Sequence, residues 1–115
     1  HMNTGIEKRH HPRTLVWGPV ILKFAHRSMM GAIRNISVGG ALIFCLEPIE
    51  SENEFLINLN FPEGEEMSIP CKKVWSGEVS AGNFDYIAVG ILFTKISSTD
   101  LNVIIERIVS GNFGF

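Results

Sequence analysis

Two short stretches of this 115-residue chain carry residue types that could do chemistry. The first is Arg9-His10-His11-Pro12-Arg13, with Lys8 just ahead of it. Arginine presents a planar fork of donors that suits phosphate oxygens, the O6/N7 edge of guanine and the face of a base. Two such forks on a leading arm can close over an anion; without a ligand they are simply two solvated arginines. The second stretch is Asn35-Ile36-Ser37-Val38-Gly39-Gly40. In a strand, side chains alternate with period 2, so Asn35 and Ser37 point to one face and offer an amide and a hydroxyl together. Gly39 and Gly40 let the backbone turn, or approach a ligand with no Cβ in the way. A polar-faced hairpin accounts for the glycines but not for the two small polar groups sharing a face.

Other chemistries find little support. The sequence contains no phosphate-binding P-loop, no GxSxG and no HExxH. His10 and His11 on a leading arm read as solvated, and the carboxylates gather in loops (Glu47, Glu50 and Glu52; Glu63, Glu65 and Glu66) as an acidic rim. Cys45 and Cys71 stand 26 residues apart with no CxxC and no His pair nearby, so a zinc ribbon or finger is not expected. They read as two buried thiols of a reducing cytoplasm. No nucleophile, base and orienting group can be assembled, and the expectation is a binding protein without enzymatic activity, cofactor or metal.

The charge balance is more informative by position than in total. With 10 Lys+Arg against 12 Asp+Glu the net charge is −2, which disfavours a bulk nucleic-acid binder. Residues 1–34, however, hold Lys8, Arg9, Arg13, Lys23, Arg27 and Arg34 against Glu7 alone, or +5. Residues 35–115 hold four basic and eleven acidic groups, or −7. A basic front on an acidic body invites a small anionic partner.

The elements that must position these residues are mostly strands. Residues 1–13 are polar and broken by Pro12; His1 and Met2 read as a remnant of expression, and the rest as a flexible arm. Thr14 to Phe24 is rich in β-branched and aromatic residues, with Gly18-Pro19 marking a bulge or an edge. No signal-peptide cleavage segment follows it, and no apolar run approaches the ~18 residues that span a bilayer. Ala32–Ile36 and Ala41–Leu46 read as two strands around the Gly39-Gly40 turn. Phe55 to Phe61 has apolar residues at 55, 57, 59 and 61, Met67 to Trp75 is a further strand, Ser76 to Asn83 a connection, and Phe84 to Thr94 the last strand. The period then changes: Ser97, Ser98, Thr99 and Asp100 offer N-cap oxygens, and Leu101, Ile104, Ile105, Ile108 and Val109 fall on one helical face. Six or seven strands and one helix, over about residues 96–111, predict an all-β domain spanning 14–115: a small antiparallel barrel with a helix packed on it.

Arg9-x-x-x-Arg13 followed by Asn35-x-Ser37-x-x-Gly40 resembles the PilZ domain, the bacterial receptor module for cyclic di-GMP. The family pattern, RxxxR and then (D/N)xSxxG, is complete in this order and spacing. Val89-Gly90-Ile91-Leu92-Phe93 with the terminal helix looks like the family's closing strand and helix, and the family's six-stranded antiparallel barrel agrees with the strands read above. The resemblance implies that Arg9 and Arg13 hold phosphate and the guanine O6/N7 edge. Asn35 and Ser37 would bond guanine from the barrel face, with Gly39 and Gly40 leaving room. Lys8 is a further contact, and Trp75 could stack on guanine or serve as a core or rim tryptophan; Trp17 is assigned to the barrel. Asn35 stands where many members have Asp, which implies weaker acceptance from guanine N1–H and N2–H.

The function so implied is a cytoplasmic cyclic di-GMP receptor whose arm orders over the ligand and presents a new surface to a downstream protein partner. Neither DNA or RNA binding nor a membrane span is expected. An adaptor on the same fold that binds no nucleotide is the alternative. An oligonucleotide-binding barrel fits less well, because the acidic body disfavours tracking a phosphate backbone.

Overall fold

The computed structural model describes residues 14–50, 53–60 and 66–110. Six strands and one helix follow in order: β1 (Thr14–Lys23), β2 (Ser28–Ile36), β3 (Gly40–Cys45), β4 (Phe55–Asn60), β5 (Glu66–Ala81), β6 (Phe84–Phe93) and α1 (Ser98–Ser110). The strands close into an antiparallel barrel in the order β1-β2-β3-β6-β5-β4. Closure leaves no edge along the barrel wall, which is how so short a sheet covers both sides of its core.

The inward set follows from alternation. Val20 and Leu22 of β1, Ala41, Ile43 and Cys45 of β3, Phe55, Ile57 and Leu59 of β4, Met67, Ile69 and Cys71 of β5, and Val89 and Ile91 of β6 are all buried. Burial pushes the Cys45 thiol up to about 11. It pushes Cys71 up to about 12, with the Glu54 charge adding and a backbone hydrogen bond at Ile57 opposing. In α1 the Asp100 amide donates to Ser97 Oγ at 3.1 Å, so Ser97 is the residue that caps the helix. Ile104 of the helix is fully buried in the barrel core.

Two strand boundaries differ from those read in the sequence. β2 begins at Ser28, earlier than Ala32, because Met29 turns inward and Met30 outward although neither is a typical strand residue. The irregularity expected at Gly18-Pro19 falls just ahead of it: the β1–β2 register shifts at Val16-Trp17, while Gly18 and Pro19 pair regularly with Ile33 and Ala32. The segment 76–83 is not a loop. β5 continues to Ala81, pairing with β6 from Trp75↔Gly90 to Ala81↔Phe84, and only Gly82 and Asn83 turn the chain. Gly82 has φ +62°, a conformation that glycine adopts without strain. Trp75 therefore lies in the middle of a 16-residue strand.

Candidate functional site

Lys8, Arg9 and Arg13 lie outside the described residues. The other motif half is well placed, and a β-bulge shapes it. On β2, Ile33 pairs with Ile43 and Asn35 with Leu42, so Arg34 is the extra residue. The bulge resets the alternation: Ile33 and Ile36 both enter the core, and Asn35 is turned to the outer face opposite Leu42. Asn35 is nonetheless only 8 % exposed.

Ser37 follows the last residue of β2 rather than extending it. Its backbone N–H donates to the Gly40 carbonyl at 2.8 Å. Its hydroxyl accepts from the Gly39 N–H at 3.3 Å and lies 3.4 Å from the Gly40 carbonyl oxygen, to which it donates. Ser37 thus ties the β2–β3 turn internally, a local side-chain-to-backbone arrangement common for serine. The expected shared face of Asn35 and Ser37, argued from unbroken alternation, is replaced by a bulge followed by a turn.

The glycines also have a local cause. Among the described residues no motif glycine has positive φ, so the turn does not demand one for its dihedrals. Gly40 is required by crowding: a Cβ there would overlap the Ile91 carbonyl oxygen and come within 3.1 Å of its carbon. The Gly39 carbonyl accepts from the Phe93 N–H at 2.9 Å, so β6 grips the turn directly.

Trp75 joins this face from across the barrel. The β5–β6 register shifts between Lys73 and Trp75, and Trp75 then pairs with Gly90. Gly90 pairs in turn with Leu42, which pairs with Asn35. The indole lies on Gly90, where a Cβ would come within 2.7 Å of ring atoms Cδ1 and Cε2. Trp75 is 52 % exposed, so it is neither a core tryptophan nor a freely projecting one. Leu42 and Gly90 were not legible as site residues, because each reads as an ordinary member of an apolar strand.

A separate pocket of about 600 Å³ sits at the far end of β2, lined by Phe24, His26, Arg27, Glu47 and Pro48 among others. Arg27 lies 3.9 Å from Glu47 and stacks 5.5 Å above the Phe24 ring, so its charge is already engaged there. Among the described residues no three His, Cys, Asp or Glu side chains gather as a metal site, and no helix is long and apolar enough to cross a membrane.

The PilZ domain model matches residues 7–110. No curated protein matches the chain in sequence. Among solved structures, the PilZ domain of YcgR from Escherichia coli, a structure with c-di-GMP, is similar at TM-score 0.76 and 17 % identity, covering 90 % of each chain. The MrkH–c-di-GMP complex of K. pneumonia is similar at TM-score 0.72 and 15 % identity, over 90 % of this chain and 52 % of that one. The motility inhibitor MotI/DgrA of Bacillus subtilis gives 0.73 and 13 %, over 90 % and 50 %. The chain therefore spans about half the length of the last two.

Proposed function

The chain belongs to the PilZ domain family, and on that premise we propose that it is a receptor for cyclic di-GMP. The observation that carries this reading is the outer face running from the Asn35–Gly40 turn to Trp75. A ligand laid there meets an amide, a tight glycine turn and a broad aromatic surface. Those are the groups that read a guanine edge and support its π-face. The c-di-GMP in the YcgR and MrkH structures, which share this fold, supports the same ligand class.

The roles divide by chemistry. Arg9 and Arg13 supply the forked cations for phosphate and the guanine O6/N7 edge, and Lys8 adds charge. Asn35 accepts from and donates to guanine at the barrel face, and Ser37 holds the turn whose Gly39 and Gly40 keep the approach open. Trp75 stacks. Ordering of residues 1–13 over the bound nucleotide changes the surface shown to a partner protein in the cytoplasm, and the chain acts as a binding module rather than a catalyst.

Amide chemical shifts recorded on adding cyclic di-GMP test the reading. Shifts concentrated at residues 8–13, 35–40 and 75 are expected. Silence there at millimolar ligand would assign the chain to the nucleotide-free adaptors of the fold.

A further inference from the structure

We infer that Lys72 of β5 supplies a phosphate-binding cation to the outer face; this rests on the cyclic di-GMP reading. The barrel register carries the inference. Gly40 of the motif turn pairs with Leu92, and Leu92 pairs with Lys72. Lys72 is thus two strands from Gly40, or about 10 Å at the usual ~4.8 Å between neighbouring strands. It also lies on the same strand as Trp75, on the other side of the Val74 bulge.

Its direction is fixed by its neighbours. Cys71 is fully buried, so Lys72 points outward, and it is exposed. Leu92, between Lys72 and Gly40, is 44 % exposed and gives the lysine stem an apolar surface to lie along. A four-carbon stem on that path brings its ammonium over the ground between the turn and the indole.

The other cations of the acidic body are committed elsewhere or lie off this rung. Lys73 Nζ donates to the Ile49 carbonyl at 2.6 Å, Arg107 is buried in α1, and Lys95 lies beyond the end of β6. Among the described residues Lys72 has no ion pair and no hydrogen bond. Glu54, next to the Phe55 that pairs with Cys71, takes a hydrogen bond from the Thr94 hydroxyl. A compact ammonium suits a phosphate oxygen better than the two-point edge of guanine, which calls for a fork. One cation for the nucleotide's phosphates then comes from a strand of the barrel.

Calorimetric titration with cyclic di-GMP at low and high salt, on the wild type, Lys72→Met, Lys72→Arg and Lys95→Met, tests this. Lys72→Met should weaken binding by about five- to twentyfold and flatten its salt dependence, as for loss of one charge-assisted bond. Lys72→Arg should keep most of the affinity, and Lys95→Met should match the wild type, with all variants melting alike. Wild-type binding with an unaltered Lys72→Met overturns this inference alone, as does an equal loss in Lys95→Met, which would assign the effect to net charge. A wild type that does not bind overturns the receptor reading and this inference together.

Discussion

Asn35 on β2 and Trp75 on β5 stand on one rung of the barrel's outer face, joined through Leu42 and Gly90. Three strand spacings separate them, about 14 Å of sheet at ~4.8 Å each. Each follows a break in register, at Ile33/Asn35 and at Lys73/Trp75, and bulges of this kind re-aim side chains. Both positions belong to the outer surface, Asn35 beside the motif turn and Trp75 over Gly90.

Gly90 and Trp75 respond as a pair. In Gly90→Ala the new methyl meets the indole, which is a side chain able to swing away. Stability should change little, while the ring leaves its resting place and ligand affinity falls toward that of Trp75→Ala. Thermal unfolding and tryptophan fluorescence, with and without cyclic di-GMP, separate the two effects. A large loss of Tm with unchanged affinity would remove Trp75 from the site.

Gly40→Ala should behave in the opposite way. Its methyl meets backbone, the Ile91 carbonyl, so β3 and β6 must part. The cost should be about 1–3 kcal/mol, a Tm lower by roughly 5–20 °C. Loss of binding with no loss of Tm would mean that Gly40 serves the ligand rather than the barrel.

Asn35→Asp tests the reading of the guanine edge. A carboxylate accepts from N1–H and N2–H in charge-assisted bonds, where the amide offers one oxygen. Affinity for cyclic di-GMP should rise by about fivefold, or ~1 kcal/mol. An unchanged or weaker affinity would move Asn35 away from that edge.

The buried thiols set an alkaline limit. Folding raises both from the ordinary thiol value of 9.0, Cys45 to about 11 and Cys71 to about 12. Between pH 9 and 11 the unfolded chain ionises its thiols while the folded one keeps its protons, so stability is full below pH 9 and falls above it. Denaturant midpoints from pH 8 to 10.5 should decline more steeply in the wild type than in a Cys45→Ala/Cys71→Ala variant. Equal slopes would contradict the assignment.

The barrel was readable from the sequence because Phe55, Ile57 and Leu59, or Val89 and Ile91, alternate without interruption. The motif was readable because its residue types and spacing are local. What escaped depends on register between distant strands. Nothing near Val74 or Arg34 in the chain marks a bulge, and the Asn35–Trp75 rung exists only once β2, β3, β6 and β5 are laid side by side. By its local sequence Gly40 offers room for a turn or a ligand. Its crowding by Ile91 comes from a residue 51 positions later, which no local pattern records.

The most direct test of the central claim is calorimetric titration of cyclic di-GMP into the wild type and into Arg9→Ala and Arg13→Ala. Saturable binding by the wild type is expected, with each truncation costing ~2–5 kcal/mol, or roughly thirtyfold and more. No binding by the wild type at millimolar ligand, or affinity unchanged in both variants, would contradict the account.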